Sequence, residues 1–491
     1  MGGRYDSIHS LSEAVSFLTD KGDVDQALRL IHDFVERIFT EPLCTAQVFG
    51  SKTLDDLCQR IGNVNLAEIK RETVDAAIGQ RKSQVFAYIV TKIDKSGGHN
   101  RVIEDFIKAQ PAGEHIILST ELDGKSDTDY LMKGLAKQAN IIFEQAPKAN
   151  YQQRLTWLQK RLLKIHPKRV YLFNHHQDSI AAAAIQPEMK LDASFYHHGD
   201  HHLCLGVCLS HLEHIDPHPM GYHNCREVLG IKNVYIPLTV DDKGDRPGNR
   251  SFFHNGTLTT CTAARSNKVE VPYFVSYIDI VPKLLKATGG RHIHIGRLTP
   301  WALFKIKQGL KHNRIQPDRF IYIPWASSVW KTLHDYQVDL YVSSFPYGGG
   351  LTLIEAMGAG IPVALHRHIY SRVLSCIDLA YSGAFSWRNP DELLNYCNSL
   401  TPGDLEEASH LARLQYEVFH SQSILQNILN DDARNCPKAK ASSYKFSVES
   451  DEWALWVERQ SNIKRLISKS MYRLLKRLRA RWYECASSWG S

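Results

Sequence analysis

Apolar residues in the first eighty positions recur every three or four residues, as in SLSEAVSFLTDKGDVDQALRLIHDFVERIF, LDDLCQRI and ETVDAAI. This spacing is typical of amphipathic helices, which bury one face and expose the other. We therefore predict a helical N-terminal region over residues 1–80, which packs on the body of the protein or contacts a partner. Such a region more often serves as scaffold than as a functional site.

From residue 81 the pattern changes to short β-rich runs that alternate with amphipathic helical segments. The runs are VFAYIV (85–90), HIILST (115–120), NIIFEQ (140–145), RVYLFN (169–174), DASFYH (192–197) and NVYIPL (233–238). Alternation of strand and helix at this spacing predicts βαβ units, and therefore a parallel sheet covered on both faces. Residues 81–240 are expected to form one Rossmann-like domain.

A polar stretch rich in Gly, Asp and Arg, residues 241–256, interrupts the alternation and predicts a linker. Beyond it the pattern restarts with TLTTCTAA (257–264), RHIHIG (291–296), RFIYIP (319–324), DLYVSS (339–344) and IPVALH (361–366). We predict a second Rossmann-like domain over residues 257–415. Two facing α/β domains joined by a hinge leave a cleft between them, where proteins of this architecture bind ligands.

Residues 416–491 are predicted to be helical, and their last part is strongly basic. The segment NIKRLISKSMYRLLKRLRARWYECASSW intersperses Ile and Leu with Lys and Arg. This is the pattern of a basic amphipathic helix, which either lies on an anionic membrane surface or packs on the protein with a solvated basic face. The pattern favours neither of these two interpretations.

Composition is typical of a cytoplasmic protein. The 491 residues contain no apolar run of about eighteen, the length that crosses a membrane. The N-terminus lacks the features of a signal peptide, and the ten cysteines form no CxxC pair. A net charge of +7 without any nucleic-acid-binding motif suits a small anionic ligand. We expect a cytoplasmic protein, peripheral at the inner face of the membrane if the basic tail binds lipid, with no nucleic-acid partner.

The most specific motif lies in the segment DLYVSSFPYGGGLTLIEAMGAGIPVALH. A predicted strand leads into three glycines at 348–350, and a short helix follows that carries Glu355 and ends near Gly360. Glycines let the backbone approach a ligand, and a helix N-terminus directs free N–H groups at an anion. A glutamate one turn into the helix can accept hydrogen bonds from hydroxyls of the same ligand. A phosphate beside a diol is what a nucleotide-sugar presents.

This segment resembles the donor-binding motif of GT-B fold glycosyltransferases. The matching positions are the glycine triplet, Glu355, Ala356, Met357, Gly360 and Pro362. The resemblance covers the second domain well and the first in architecture only. It implies a hexosyltransferase that moves a sugar from a nucleotide-diphosphate donor to a glycan, a lipid-linked acceptor or a protein, as in surface polysaccharide biosynthesis.

Two details of the same segment refine the resemblance. Many retaining members of the superfamily carry a second glutamate eight positions before the first, where this chain has Tyr347, so inversion of the anomeric centre is slightly favoured. The FPYGGG turn is also similar to the donor turn of protein O- and N-glycosyltransferases that use uridine diphosphate sugars.

The resemblance also implies the remaining donor contacts. Two cations follow the first strand of the second domain where the superfamily grips the diphosphate, and their charge replaces a divalent metal. No metal and no cofactor besides the nucleotide-sugar are therefore expected. The expected donor-binding residues are Arg265, Lys268, Gly348, Gly349, Gly350, Leu351, Thr352 and Glu355. In the first domain Gly97, Gly98 and His99 resemble the Gly-rich loop that contacts donor phosphate and acceptor.

Histidine-rich turns follow two predicted strands of the first domain, HHQDS at 175–179 and HHGDHH at 197–202. Because the carboxyl ends of parallel strands meet at one edge of a sheet, both turns are expected to face the cleft. An acceptor hydroxyl loses its proton as it attacks the sugar, and a His or Asp in the cleft can take that proton. We select Asp200 and His198 as the leading candidates for the catalytic base, supported by His201.

Two other functions fit parts of the sequence. His/Asp turns hold metals in phosphoesterases, so a metal-dependent phosphoester hydrolase is the alternative, although it leaves the glycine triplet unexplained. An inactive two-domain scaffold that binds at a membrane is a third hypothesis. A single histidine in these turns is more often structural than catalytic.

Overall fold

The computed structural model describes residues 7–39, 48–72, 82–94, 98–135, 139–248, 250–369, 371–431, 436–440 and Met471. Within this part of the chain two parallel sheets, of seven and six strands, are each covered by helices on both faces. The prediction of two Rossmann-like α/β domains is confirmed. Most of the predicted basic tail, and Gly97, lie outside the described residues.

The N-terminal helices are α1 (Ile8–Asp20), α2 (Val24–Phe39) and α3 (Lys52–Glu72). They do not form a separate unit. Leu28 of α2 and Ile61 of α3 are fully buried in one hydrophobic core with Ala87 and Leu172 of the first sheet. The helical region therefore covers one face of that sheet and stabilises it by burying apolar area.

The first sheet has the strand order β3-β2-β1-β4-β5-β6-β7, with parallel pairing throughout. Its strands are β1 (Lys82–Val90), β2 (Glu114–Ser119), β3 (Asn140–Gln145), β4 (Pro167–Phe173), β5 (Ala193–Tyr196), β6 (Glu213–Asp216) and β7 (Asn233–Tyr235). The helices between them are α4 (Gly98–Ala109), α5 (Asp129–Leu135), α6 (Tyr151–Ile165), α7 (Ser179–Ala184) and α8 (Pro219–His223). The strand order reverses between β1 and β4, and crevices open at such points.

Helix α6 illustrates how local sequence sets these elements. Asn150 accepts a hydrogen bond from the Gln153 N–H at 2.9 Å, and the Gln153 side chain accepts one from the Asn150 N–H, which is a capping box. Leu155, Leu158 and Leu162 follow at helical spacing and are fully buried. The cap defines the start of the helix, and the apolar stripe defines the face that packs on the sheet.

The second sheet has the order β10-β9-β8-β11-β12-β13, again with parallel pairing. Its strands are β8 (Thr259–Ala263), β9 (Arg291–Ile295), β10 (Phe320–Ile323), β11 (Leu340–Val342), β12 (Val363–His366) and β13 (Phe385–Trp387). The helices are α9 (Ser266–Val269), α10 (Tyr277–Thr288), α11 (Pro300–His312), α12 (Val329–Asp335), α13 (Gly350–Gly358), α14 (Arg372–Ser375), α15 (Pro390–Ser399), α16 (Pro402–Gln415) and α17 (Gln422–Asn430). Its switch point lies between β8 and β11.

The chain returns to the first domain at its C-terminal end. Val240 and Ser421 form a parallel bridge, and α17 packs against α4. Buried His420 lies with Nδ1 2.8 Å from the Leu238 carbonyl oxygen and Nε2 3.2 Å from that of Leu379. The chain therefore passes between the domains twice. His420 contacts the segment that leaves the first domain, at Leu238, and a segment of the second domain, at Leu379.

Two strands were not predicted from the pattern. Strand β6 reads EHID, whose three titratable residues suggest a loop, although His214 and Asp216 are almost completely buried. Strand β13 reads FSW, in which a serine interrupts the apolar residues, so it gives no continuous apolar run. Among the described residues, the helices lack the length and apolar character needed to cross a membrane.

Candidate active site

The glycine triplet lies at the carboxyl end of β11, at the switch point of the second sheet, and opens α13. A Cβ atom at Gly348 would lie 2.7 Å from the Leu374 carbonyl oxygen and 2.8 Å from Cys376 Sγ, which is closer than real side chains approach. At Gly349 it would lie 2.5 Å from Thr352 Oγ1. Glycine is therefore required at position 348, where the contact is with backbone, and a side chain at position 349 would displace the Thr352 hydroxyl.

Lys268 reaches this turn from α9, which follows β8. Its Nζ donates a hydrogen bond to the Gly348 carbonyl oxygen at 2.8 Å. The side chain is partly buried, and burial lowers the pKa of its ammonium group. Arg265 precedes α9, its side chain is exposed, and its carbonyl accepts from the Lys268 N–H at 2.9 Å. The structure thus brings one of the two predicted cations into direct contact with the predicted phosphate turn.

Thr352 and Glu355 lie on α13 beyond the triplet. The Thr352 hydroxyl donates to the Gly349 carbonyl oxygen at 3.0 Å and accepts from the Tyr341 hydroxyl at 3.0 Å. Glu355 Oε2 accepts a hydrogen bond from the Trp330 N–H at 2.9 Å, at the start of α12. Glu355 therefore also ties α13 to a second helix end, a contact that sequence reasoning did not predict.

The first domain meets this turn at the start of α4. A Cβ atom at Gly98 would lie 3.3 Å from Leu351 Cδ1, so the two predicted glycine loops face each other across the cleft. His99 is buried, and its Nε2 lies 3.0 Å from the Phe173 carbonyl oxygen, which it can reach only as a donor. Burial, aided by the nearby His198 and His175, keeps the pKa of His99 well below its ordinary value.

The turn after β5 supplies the predicted catalytic residues. The ring of His198 packs against that of His99, with centroids 4.5 Å apart. Burial, together with repulsion from His175 and His201, lowers the pKa of His198 to about 3. Its imidazole is therefore neutral near pH 7 and, in the unliganded cleft, only a weak base.

Asp200 is buried in the same turn, with Oδ1 3.6 Å from Nδ1 of His201. Burial acts to raise the pKa of Asp200, but His201, His218 and His197 outweigh it and lower the pKa below the usual value. The carboxylate is therefore ionised at neutral pH although it is shielded from solvent. A shielded anion among histidines is suited to orient a neighbouring imidazole and to stabilise its protonated form.

His218 belongs to this group and was missed by sequence reasoning. Its Nδ1 accepts the Met220 N–H at 3.1 Å and caps α8, so its proton lies on Nε2, which has no hydrogen-bond partner among the described residues. It is nearly fully buried and helps to lower the pKa of Asp200. The sequence contains one indication of this role: the histidine directly precedes Pro219, and a proline at that position is typical of a helix start.

The two halves of the site are in contact. A Cβ atom at Gly221 of α8 would lie 3.3 Å from Asp200 Cβ. Helix α8 in turn contacts α14 of the second domain, and the Leu374 carbonyl of α14 accepts the Gly348 N–H at 2.7 Å. The histidine turn and the glycine turn therefore form adjoining walls of one cleft.

The histidine-rich turn after β4 contributes other polar groups whose surroundings differ. Asp178 accepts hydrogen bonds from the hydroxyls of Thr91 at 2.7 Å and Thr120 at 2.6 Å, and it caps α7 through the Ala181 N–H at 2.9 Å. His176 is buried with its ring against Phe39. The expectation that this whole turn faces the cleft is wrong for Asp178, whereas His176 contacts the candidate catalytic turn, with its ring centroid 5.1 Å from that of His201. His175 does lie near His99 and His198, and its Nδ1 is 3.2 Å from Asp123 Oδ2.

Within the described residues, two clusters are compact enough to hold a metal ion. They are His32 with Asp33 and Glu36, and His197 with His214, Asp216 and Cys225. Neither contains His198, Asp200 or His201. The hydrolase hypothesis expected a metal ion at the two His/Asp turns. In the described part of the chain, His197 is the one residue of those turns that belongs to either cluster.

Solved structures of several glycosyltransferases share this fold. HepE from Anabaena, in complex with UDP and glucose, aligns with a TM-score of 0.53 at 12% identity over 70% of this chain and 98% of its own. A glycosyltransferase from Rickettsia africae aligns with a TM-score of 0.54 at 13% identity over 70% and 97%. The lipopolysaccharide outer core galactosyltransferase WaaB, in its apo form, aligns with a TM-score of 0.52 at 14% identity over 71% and 98%.

At these identities the similarity concerns the fold, and the chain has the two-domain GT-B fold. No protein-family model matches the sequence, and no curated protein sequence is similar to it.

Proposed function

We propose that this protein is a glycosyltransferase that moves a sugar from a nucleotide-diphosphate donor to a glycan, lipid-linked or protein acceptor. The observation that carries the proposal is the contact of Lys268 with the glycine turn, opposite Gly98 and beside the histidine turn. A cation, a glycine-lined helix start and a shielded proton acceptor on adjoining walls would suit metal-independent, inverting glycosyl transfer.

The second domain would hold the donor. The first N–H groups of an α-helix have no partner within the helix, so those of Gly350, Leu351 and Thr352 at the start of α13 are suited to bind a phosphate. Lys268 and Arg265 would add positive charge where the leaving diphosphate gains negative charge. Glu355 would accept hydrogen bonds from donor hydroxyls with the lone pairs that Trp330 leaves available.

The first domain would supply the base, with Asp200 and His198 as the candidates and His201 in support. The lowered pKa of His198 belongs to the unliganded cleft. A bound diphosphate brings negative charge beside the histidines, and this favours their protonated forms. The donor itself would thereby strengthen the base that activates the acceptor. A base on the face opposite the leaving group fits inversion of the anomeric centre.

The first test is binding of nucleotide diphosphates. The solved HepE structures contain UDP and UDP-glucose, so uridine diphosphate is the first candidate. Calorimetry with UDP, GDP and ADP should give micromolar binding for one of them and much weaker binding for the others. The corresponding nucleotide-sugars should then be turned over, slowly to water or faster to an acceptor, with release of nucleotide diphosphate. A protein that binds none of the three and turns over no nucleotide-sugar would contradict the proposal.

We also propose that the protein acts in the cytoplasm, peripheral to the inner face of the membrane, through its basic C-terminal segment. Anionic lipids attract clustered Lys and Arg, each contributing about 1 kcal/mol near the surface. Full-length protein should therefore co-sediment with phosphatidylglycerol vesicles and not with phosphatidylcholine vesicles. A chain ending at residue 440 serves as the matched control and should remain in the supernatant with both.

A further inference from the structure

The carboxyl ends of β5 and β6 bring together four side chains to which the proposed sugar transfer gives no direct role. They are His197, His214, Asp216 and Cys225, and all four are buried. The set combines two imidazoles, a carboxylate and a thiol, which are the side chains that bind zinc and similar divalent ions.

Backbone geometry places them on one face of the sheet. His214 and Asp216 are two residues apart on β6, so their side chains point to the same side. His197 directly follows β5, and its N–H donates to the Ile215 carbonyl at 2.8 Å, which sets it beside Asp216. Cys225 comes from the single π-helical turn that follows α8.

The distances within the cluster fit a shared ion. His197 Nδ1 lies 3.0 Å from Asp216 Oδ1 and 3.3 Å from Cys225 Sγ, and His214 Nε2 lies 3.1 Å from Asp216 Oδ2. One donor atom from each of the four residues lies within 4.8 Å of every other. Zinc binds nitrogen at about 2.0–2.1 Å and sulfur at about 2.3 Å, which puts tetrahedral ligand atoms roughly 3.3–3.6 Å apart. The three contacts, at 3.0, 3.1 and 3.3 Å, lie at or slightly below that spacing.

The hydrogen bonds around the cluster are also compatible with a bound metal ion. His214 Nδ1 lies 3.2 Å from the Val207 carbonyl oxygen, which accepts only, so Nδ1 carries a proton. Its Nε2 faces Asp216 Oδ2 at 3.1 Å, a contact that needs either a second ring proton or a metal ion between the two atoms. A metal ion at this point would take the place of that proton and of the Cys225 thiol proton, which is directed at Asp216 Oδ1 at 3.5 Å. Asn233 Nδ2 donates to Asp216 Oδ2 at 2.6 Å, as outer partners of metal ligands commonly do.

We propose that His197, His214, Asp216 and Cys225 bind a structural divalent metal ion, with zinc as the best fit. A thiolate and a carboxylate neutralise its two charges, which a buried site requires. Four protein ligands leave no position for water, and this distinguishes a structural site from a hydrolytic one.

The ion would support the candidate active site without touching the sugar. A Cβ atom at Gly221 would lie 3.3 Å from Asp200 Cβ and 3.4 Å from Asp216 Oδ1, so α8 is packed between the two carboxylates. Binding Cys225 to β6 fixes the end of α8, and with it the wall beside Asp200. This proposal is independent of the sugar-transfer function, since metal content is measured without any substrate.

The test is the metal content of the full-length protein, purified without added metal or chelator, by mass spectrometry. Wild-type protein and Cys397→Ala, which removes an equally buried thiol from α15, should each hold close to one zinc per chain. Cys225→Ala should hold at least about tenfold less, because removing even an outer partner costs about 10–100-fold in affinity. Asn233→Ala should lower the affinity for zinc by about 10–100-fold, measured by competition with a fluorescent chelator.

A second measurement avoids dependence on the folding of the variants. Wild-type protein stripped by chelator and titrated with Co²⁺ should develop a thiolate-to-cobalt charge-transfer band and the strong visible bands of four-coordinate cobalt, saturating at one equivalent. Absence of zinc in purified protein together with absence of these bands would show that a protonated His214 completes the cluster instead. Zinc retained equally by Cys225→Ala would place the metal elsewhere. Either result overturns the proposal.

Discussion

The Nζ atom of Lys268 donates a hydrogen bond of 2.8 Å to the carbonyl oxygen of Gly348. These residues are eighty positions apart and meet because β8 and β11 are adjacent at the switch point of the second sheet. The contact leaves two further ammonium hydrogens for a ligand in the same crevice. It is the geometric core of the proposed donor site.

Lys268→Ala is expected to weaken binding of the preferred nucleotide diphosphate. A hydrogen bond to a charged group contributes about 1.5–3 kcal/mol, which corresponds to a rise in Kd of roughly ten- to a hundredfold. Calorimetry on the folded variant measures this directly. Lys331→Ala, which removes an exposed lysine from α12, is the control and should bind like wild type. If wild type and both variants bind the nucleotide diphosphate with equal affinity, Lys268 does not contact the donor.

Gly349→Ala should abolish most activity while the protein still folds. The backbone of Gly349, with φ of −120°, is accessible to alanine, but the added methyl would crowd Thr352 Oγ1 at 2.5 Å and approach Lys268 Nζ at 3.5 Å. Gly134→Ala in α5 is the matched control, because its Cβ meets nothing within 4 Å. It should stabilise the helix by about 0.5–1 kcal/mol and leave turnover unchanged. Full activity of Gly349→Ala would mean that no ligand approaches this turn.

Glu355 substitutions separate donor binding from helix capping. Glu355→Gln retains an oxygen for the Trp330 N–H, whereas Glu355→Ala loses it and should cost about 1 kcal/mol of stability. Both variants should bind donor more weakly, because both lose the charged acceptor. Thermal unfolding and calorimetry on the pair distinguish the two roles. If the Gln variant binds donor like wild type, the carboxylate serves the structure alone.

Asp200→Asn is expected to reduce kcat by about 10²–10⁴-fold, the contribution of a positioned base, with the Kd for nucleotide diphosphate unchanged. The lowered pKa of Asp200 keeps the carboxylate ionised across neutral pH, so an amide cannot replace it. His198→Gln, compared in parallel, shows whether the imidazole shares the role. Activity of Asp200→Asn within twofold of wild type would transfer the base assignment to the histidines.

Asp55 should make stability depend on pH. This buried carboxylate of α3 accepts the N–H groups of Gly206 at 2.7 Å and Cys208 at 2.8 Å, and burial raises its pKa to about 7. Between its unfolded pKa near 3.8 and this value the folded state binds more protons, so its contribution to stability falls as pH rises through that window.

Urea unfolding at pH 5 and pH 8 tests the prediction about Asp55. Wild-type protein should lose more stability between these two values than Asp55→Asn, because the amide does not titrate. The difference should amount to a few kcal/mol at most, since one unit of pKa corresponds to about 1.4 kcal/mol. Identical pH dependence of the two proteins would show that Asp55 is ionised in both folded and unfolded chains.

The hydrophobic pattern by itself determined the two-domain α/β architecture and the segment that carries the glycine triplet. Buried parallel strands are continuous apolar runs, and a glycine-rich turn before a helix is visible in the sequence because its requirements are local. Strand β6 escaped the same reasoning because its His and Asp are buried by partners distant in sequence.

Tertiary structure alone decided which polar residues meet. It gave Asp178 a structural role, placed His218 beside Asp200, gave Glu355 a partner in Trp330, and set Gly98 opposite Leu351. These relationships depend on how the two sheets are ordered and how the domains pack across the cleft. Hydrogen bonds and charges act over a few ångströms in space, whatever the separation of the residues along the chain.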